Sequence, residues 1–479
     1  MVSKTPKYDE KIKAILDALQ LGERVCELTG EKWNMTEEEI SMYRKWNVSP
    51  SKYHPFTRMR LLAGFGSGVD LWWKNSQDTG KPILSALHPD INIPVLPDSE
   101  WQKKDQGESY PTDYDSSRPF FSQMQELLSK TPSSAFNAWA SENSVGAGYV
   151  DVINSFMVFG TWGANESWYQ FRSKEAERCF DGVMMEHSED SFSCSMCTRV
   201  NKSTKCSNCT DCFNCGFLFD CWNCEDCFCS TNLRRRKYVF MNKQLSKEEY
   251  ESKMKEINLS CRSEMKKWTK KFIDIIESEG VFPEFFQQNA QGCDGDYITD
   301  SLNCKGFFIT GCKNINETWF TFDSENSDYL SIGKACSDIY YTSVASNSQN
   351  VRLSYCSSYS RDCEYISNCQ NCENCFGCIN LKHKRFHILN KPYSEEDYWK
   401  KVDEIKCSML EDGTYGDFLP QAMSVPGTKF SFASLISPFT EEELEQLGVN
   451  DPDPIKGMRL APYSDKESIM NPNNAPDCI

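Results

Sequence analysis

The chain has 479 residues, including 25 cysteines, and a formal net charge of −17. Its 25% charged and 39% hydrophobic residues are typical of a globular protein, and its length allows two to four domains. The acidic balance disfavours broad nucleic-acid binding, which depends largely on Lys and Arg. No apolar stretch reaches the roughly 18–20 residues of a membrane span.

The N-terminal region is predicted to be helical. Ile12, Ile15 and Leu16 lie at helical spacing in a charged stretch, and we predict one helix over residues 8–30 and an acidic helix over 36–46. The stretch lacks the apolar segment and cleavage site of a secretory signal, so we expect a cytoplasmic protein. In that compartment, free or metal-bound thiols are favoured over disulfides.

The cysteines follow a period of three residues. One phase contains Cys179, Cys194, Cys197, Cys206, Cys209, Cys212, Cys215, Cys221, Cys224 and Cys227. A second phase contains Cys363, Cys369, Cys372, Cys375 and Cys378. A reactive or metal site needs only a few thiols, so rows this long indicate that cysteine fills a repeating structure.

The chain contains an internal duplication. The segment from Cys221 to Ile257 aligns without a gap on the segment from Cys369 to Ile405, at a constant offset of 148. Including weaker upstream matches, the repeats span roughly residues 143–258 (copy 1) and 291–406 (copy 2). Each copy has a Cys- and Asn-rich stretch, then a basic-aromatic strand, then a short helix whose N-cap is Ser246 or Ser394.

A three-residue period fits neither a helix nor a simple strand, since these repeat every 3.6 and every two residues. We therefore predict a mainly β protein with flanking helices (α+β), with two tandem Cys-lined parallel β-solenoid-like repeats, each closed by a strand and a short helix. The predicted segments are N-terminal helices at 1–46, an adaptor region with an amphipathic helix at 47–140, the first repeat at 141–260, a linker helix at 261–290, the second repeat at 291–410 and an extended C-terminal arm at 411–479.

Zinc is the first candidate chemistry. Paired Cys-x2-Cys units could supply four-thiolate sites, and the candidate ligands are Cys194, Cys197, Cys206, Cys209, Cys212, Cys215, Cys221 and Cys224. His187 could add an imidazole ligand. A three-residue column produces such pairs automatically, however, so a structural core without a cofactor is the favoured interpretation.

Thiol catalysis is the second candidate. A nucleophilic cysteine needs a neighbouring histidine or a similar group that lowers its pKa. Cys378 and His383 could form such a pair, but Ser230 and Arg235 occupy their positions in copy 1. We therefore expect no enzymatic activity.

The chain resembles a family of uncharacterised cysteine-rich repeat proteins that are common in candidate-phylum bacteria (Patescibacteria). The segments that carry the resemblance include DYDSSRPFFSQMQELL, the two Cys-rich runs, and NKQLSKEEYESKMKEI with its counterpart NKPYSEEDYWKKVDEI. Family members typically begin with paired zinc-knuckle cysteines. Only Cys26 remains here, with Thr29 in place of a second cysteine and His54 and Thr57 at the next pair. The resemblance thus implies a degenerate zinc-ribbon-like region.

These features favour a non-enzymatic scaffold that docks other proteins in a larger assembly through its repeat faces and terminal arms. The first alternative is a zinc-binding regulatory or nucleic-acid-associated module that uses the local basic runs, of which Arg234–Lys237 is one. The second alternative is a thiol-redox or metal-buffering protein.

Overall fold

The computed structural model describes residues 3–171, 173–177, 185–186, 212–299, 301–302, 304–310, 339–340, 342–343, 354–355 and 359–453. These residues form two compact units. Unit 1 lies within Met1–Ala135 and Phe285–Gly457, and unit 2 lies within Phe136–Glu284. Copy 2 therefore belongs to unit 1, together with the N-terminal region, whereas copy 1 belongs to unit 2.

The described part of the chain mixes helices with many short strands, as expected for the α+β class. Its α-helices are α1 (Pro6–Asp17), α2 (Glu37–Trp46), α3 (Pro55–Ala63), α4 (Asp98–Trp101), α5 (Phe120–Lys130), α6 (Lys247–Lys255), α7 (Arg262–Glu279), α8 (Glu395–Glu411), α9 (Ala433–Ile436) and α10 (Glu441–Gln446). None of these helices is long and apolar enough to cross a membrane.

The strands before and within copy 1 are β1 (Gly22–Val25), β2 (Lys32–Met35), β3 (Trp72–Asn75), β4 (Pro82–Ser85), β5 (Val95–Leu96), β6 (Ser133–Ser134), β7 (Val145–Ala147), β8 (Val150–Ile153), β9 (Phe156–Phe159), β10 (Trp162–Asn165), β11 (Trp168–Phe171), β12 (Ser173–Glu177), β13 (Met185–Glu186), β14 (Gly216–Phe219), β15 (Glu225–Thr231), β16 (Lys237–Phe240) and β17 (Lys243–Gln244). Those that follow are β18 (Gln287–Gln288), β19 (Asp294–Thr299), β20 (Lys305–Thr310), β21 (Ser354–Tyr355), β22 (Ile366–Ser367), β23 (Glu373–Phe376), β24 (Arg385–Ile388) and β25 (Lys391–Pro392).

Parallel pairing stacks the strands of each copy, at an offset of 12 residues near the C-terminal end of both copies and of 11 residues between β19 and β20. In copy 1, β14 pairs with β15 through Gly216 and Phe228, and β15 pairs with β16 through Cys227 and Val239. In copy 2, β23 pairs with β24 through Cys375 and His387. Each of these partners lies 12 residues further along the chain, as the residue numbers show. Four three-residue steps therefore separate one strand from the strand stacked on it.

A left-handed backbone at every third residue explains the period of three. Near the end of copy 1, this series runs through Asn214, Phe217, Asp220, Asn223, Asp226, Cys229, Asn232, Arg235, Tyr238 and Met241. A left-handed residue interrupts the two-residue alternation of a strand, so residues three apart point to the same side. The buried Cys212, Cys215, Leu218 and Cys221 occupy the position two residues before successive members of the series.

The C-terminal end of each copy is closed by an antiparallel hairpin and a capped helix, as the sequence predicts. Strand β17 turns back on β16, and β25 turns back on β24. Ser246 forms a capping box with Glu249 at the start of α6, and Ser394 accepts a hydrogen bond from the Asp397 backbone at the start of α8. Such caps cover strand edges that would otherwise be free to pair.

A helix covers the aromatic face of each copy. In copy 1, α7 packs Trp268, Phe272 and Ile275 in one cluster with Phe217 and Phe228. In copy 2, Phe120 of α5 contacts Phe376 at 5.1 Å between ring centroids. Gly377 permits this approach, since a Cβ there would lie against the Phe120 ring, whereas copy 1 has Cys229 at the corresponding position.

The predicted helix over residues 8–30 is wrong beyond Asp17. Helix α1 ends there, and β1 and β2 form an antiparallel hairpin from Gly22 to Met35. The stretch between the strands, CELTG, contains Gly30 at φ 72°, a left-handed conformation that favours a tight turn over a helix. The predicted acidic helix over 36–46 is confirmed as α2, which Thr36 caps.

Candidate functional site

Two clusters of buried thiols line the copies. Cluster 1 consists of Cys212, Cys215, Cys221, Cys224 and Cys227, and cluster 2 consists of Cys363, Cys369, Cys372, Cys375 and Cys378. Every one of these side chains is at most 3% exposed. Four positions match between the copies at the offset of 148, and they run from Cys215/Cys363 to Cys227/Cys375.

Backbone carbonyls accept hydrogen bonds from these thiols in a repeated pattern. The single S–H of Cys221 is shared between two carbonyls, Phe219 O two residues earlier at 3.3 Å and Ser230 O nine residues later at 3.8 Å from Sγ. Cys378 repeats the pattern with Phe376 O at 3.6 Å and His387 O at 3.4 Å. Thiols with both contacts thus bridge one level of the strand stack to the next.

Serine occupies some of these interior positions and makes the same contact with the carbonyl two residues earlier. Ser230, the counterpart of Cys378, donates from Oγ to Phe228 O at 3.0 Å and accepts from Asn242 N at 3.0 Å. In the earlier part of copy 1, Ser155 donates to Ile153 O and accepts from Ser167 N. A hydroxyl can therefore take the place of a thiol at these positions, and Leu218 and Leu381 fill other positions of the same series, so the interior does not require sulfur.

Most of these thiols are poor acids in their surroundings. Burial raises the pKa of Cys221, of Cys363 and of Cys378 well above the ordinary value of a thiol. In each cluster one thiol behaves in the opposite way. Hydrogen bonds from neighbouring thiols lower the pKa of Cys224 in cluster 1 and of Cys375 in cluster 2.

The structure brings together part of the predicted zinc ligand set. Cys212, Cys215, Cys221 and Cys224 all belong to cluster 1, whereas the other predicted ligands, Cys194, Cys197, Cys206 and Cys209, and the candidate His187 lie outside the described residues. Over the described ranges, no group of three or more His, Cys, Asp or Glu side chains has an arrangement that could hold a metal ion.

The candidate pair of Cys378 and His383 is not brought together as a hydrogen-bonded pair. Cys378 is fully buried, and its hydrogen bonds go to backbone carbonyls. His383 is exposed at one of the left-handed positions, with φ 53°. A thiol nucleophile activated by this histidine therefore has no support in the geometry.

Two similar hairpins in the N-terminal region were not predicted. In the first, the turn between β1 and β2 has hydrogen bonds from Cys26 N to Glu31 O and from Gly30 N to Cys26 O. In the second, between β3 and β4, Ser76 N donates to Lys81 O and Gly80 N to Ser76 O. The two TGK-like turns, CELTGE and SQDTGK, are the sequence signal that could have revealed the match.

A His-Pro segment accompanies each hairpin. Nδ1 of His54 accepts a hydrogen bond from Phe56 N, and Nδ1 of His88 accepts one from Asp90 N. Beside the first hairpin, Cys26 Sγ lies 3.7 Å from Thr57 Oγ1. Although burial raises the pKa of the Cys26 thiol, hydrogen bonds from Thr29, from the His54 backbone and from Thr57 lower it further than burial raises it.

Comparisons with protein-family models, with curated proteins and with solved structures found no match.

Proposed function

We propose that the protein is a non-enzymatic scaffold in which each copy winds as a Cys-lined parallel β-solenoid and presents its outer faces to partner proteins. The observation that carries the proposal is the use of the clustered thiols. They contact backbone carbonyls of successive levels, and serine at a corresponding position keeps the hydrogen bond to the carbonyl two residues earlier. Side chains used in this way are a core, and the function then depends on the surfaces built around that core.

The closed ends and covered faces support the same proposal. The hairpin and helix at the C-terminal end of each copy prevent uncontrolled strand pairing, which a protein that binds selected partners must avoid. Each copy also has its own covering helix, α7 or α5. The remaining faces are available for several simultaneous contacts, which is the usual role of repeat proteins.

The test is a thiol and metal measurement on the full chain, purified under reducing conditions. We expect no bound metal and no rapid reaction of the clustered cysteines with a thiol reagent until the protein is denatured. One or two tightly bound zinc ions per chain would instead support the zinc-binding alternative. Many labile metal ions, or rapid reversible oxidation of the native clusters, would support the metal-buffering or redox alternative.

We further propose that the N-terminal region is a pair of degenerate zinc-ribbon-like knuckles that keep the fold without the metal. The matching hairpins and the His-Pro segments support this proposal. Oxygen atoms of Thr29 and Thr57 replace thiolates around Cys26, and hydrogen bonds take the place of metal coordination.

A further inference from the structure

The two copies differ in what covers their basic strand, which is β16 with the residues around it in copy 1 and β24 with the residues around it in copy 2. In copy 2, residues 105–113 of the same chain lie along it. Gly107 N donates to Asn380 O and Thr112 N donates to Leu389 O, both at 2.9 Å. A Cβ on Gly107 would lie 2.2 Å from Ile379 O, so this segment lies directly against the backbone of copy 2.

Ion pairs also hold residues 105–113 against copy 2. Lys384 Nζ lies 2.9 Å from Glu108 Oε1 and 3.5 Å from Asp105 Oδ2. Lys391 pairs with Asp113. The basic strand of copy 2 therefore binds an acidic segment of its own chain, which includes a short 3-10 helix at Gly107–Ser109.

Among the described residues, no such peptide lies on the corresponding basic surface of copy 1. At the offset of 148, the residues that correspond to Lys382, His383, Lys384 and Lys391 are Arg234, Arg235, Arg236 and Lys243. All four are exposed in copy 1, whereas Lys382, Lys384 and Lys391 are partly covered in copy 2. We call the four residues of copy 1 the basic strip.

Most of the charge on the basic strip is unpaired within the described part of the chain. Arg234 pairs with Asp220 at 2.7 Å, but Arg235, Arg236 and Lys243 have no ion pair there. The strip also carries more permanent charge than its counterpart, because Arg235 replaces His383.

Backbone acceptors of the same kind accompany the basic strip. The carbonyls of Asn232 and Met241 correspond to those that accept from Gly107 and Thr112 in copy 2, and no backbone donor in the described ranges reaches them. The end of α7 and the residues after it hydrogen-bond the neighbouring amide side chains and leave these two carbonyls alone. The side chain of Asn232 bonds Val281, and that of Asn242 bonds Glu279.

We propose that the basic strip of copy 1 docks an acidic peptide of a partner protein, in the way that residues 105–113 dock on copy 2. This inference rests on the scaffold proposal, from which it takes the premise that the partner is a protein. A peptide matches both parts of the surface, because its carboxylates pair with the cations and its N–H groups donate to the carbonyls. A phosphodiester backbone supplies charge but no N–H donors.

The test uses a fluorescent peptide with the sequence of residues 105–115, DQGESYPTDYD, and the full chain at fixed moderate salt. We expect saturable binding that weakens about tenfold or more in the variant R235S/R236S/K243S. A peptide with amides in place of its carboxylates should bind weakly to the unaltered chain. The matched control K255S/K266S/K270S removes the same charge from exposed positions on α6 and α7 and should leave binding unchanged.

Three outcomes would overturn the inference. They are no saturable binding to the unaltered chain, equal binding by the two triple variants, and tighter strip-dependent binding of a 12-nucleotide single-stranded DNA. Thermal unfolding of both variants checks that they fold. Failure here combined with metal-free, unreactive thiols would refute acidic-peptide docking and leave the scaffold proposal intact.

Discussion

At interior positions of the two copies, a thiol and a hydroxyl satisfy the same backbone groups. Cys378 and Ser230 correspond in sequence, and each donates to the carbonyl two residues earlier. The backbone N–H of Asn390 hydrogen-bonds Cys378, and the backbone N–H of Asn242 hydrogen-bonds Ser230. These two amides lie two residues beyond β24 and β16. This equivalence separates a structural role of sulfur from a chemical one, and it can be tested by substitution.

We expect Cys378→Ser to lower the free energy of unfolding by less than about 1 kcal/mol, because a hydroxyl at this position, as in Ser230, keeps the hydrogen bond to the carbonyl two residues earlier. Cys378→Leu should cost about 1–3 kcal/mol or more, because extra methylene groups must fit into a filled interior. Urea unfolding of both variants provides the measurement. A serine variant less stable than the leucine variant would show that the thiol has a role that a hydroxyl cannot perform.

Asp417 gives unit 1 a defined pH dependence. Burial raises the pKa of this carboxyl from 3.8 to about 6, although Lys52 Nζ lies 3.2 Å away. The native state therefore binds more protons than the unfolded state between about pH 4 and pH 6. The contribution of Asp417 to stability is present below pH 4 and is lost as the pH rises through 6.

We expect Asp417→Asn to remove this loss. Relative to the unaltered chain, the free energy of unfolding of the variant should increase by about 2–3 kcal/mol between pH 4 and pH 7. Urea unfolding at four pH values in that interval measures the difference. The matched control is Asp412→Asn, at an exposed position. Its free energy of unfolding relative to the unaltered chain should stay the same across these pH values. A flat difference for both variants would contradict the assignment to Asp417.

At the scale of elements, the sequence predicted the features that recur in both copies, and it missed features that depend on tertiary packing. The duplication and the period of three indicated which cysteines would be buried, and Ser246 and Ser394 indicated where the closing helices begin. Local composition carries these signals. It did not predict left-handed conformations at Phe217 or Tyr365, since only the surrounding strand stack imposes them on aromatic residues.

The N-terminal hairpins show the other limit of prediction. Helical spacing of Ile12 and Leu16 is correct for α1, but the pattern could not show that Gly30 closes a strand turn. In the candidate site, the sequence indicated zinc from Cys-x2-Cys spacing, which a stack with a three-residue period produces without any metal. Knowing which carbonyl each thiol meets requires the 12-residue register, which is a tertiary property.

The first hairpin can test the proposal of degenerate knuckles by restoring ligands. Cys26 Sγ lies 3.7 Å from Thr57 Oγ1, close to the roughly 3.8 Å between sulfurs in a tetrahedral zinc–thiolate site. We expect Thr29→Cys combined with Thr57→Cys to create one zinc site per chain, with Cys26 and His54 completing the four ligands. Metal analysis and cobalt absorption spectra measure its formation.

The second hairpin supplies the control for that experiment. Thr79→Cys combined with Ile91→Cys introduces the same two residues, but Ser76 stands in the position of Cys26. With one thiolate fewer, this variant should bind zinc much more weakly. Equal zinc binding by both double variants, or by neither, would count against a knuckle geometry around Cys26.

At the scale of the whole molecule, the duplication is divided between two compact units, each with its own thiol cluster. Different interactions stabilise the two units. In unit 1, Glu364 of copy 2 accepts hydrogen bonds from Lys406 Nζ and from the Tyr415 hydroxyl, both at 2.6 Å, and all three side chains are buried. Copy 1 has Gly216 in place of Glu364, and its stability depends instead on α7.

The reactivity of each thiol cluster therefore reports whether its own unit opens. Lys406→Met removes the buried lysine that pairs with the buried Glu364 carboxylate, which costs about 3–5 kcal/mol, so cluster 2 should become reactive. Trp268→Ala removes the ring that packs on Phe228 at 5.0 Å between centroids, at a similar cost, so cluster 1 should become reactive. Pulsed alkylation followed by mass spectrometry resolves the individual cysteines. If either variant exposed both clusters at the same rate, the units would open as one, because only independent opening confines reactivity to the unit that was destabilised.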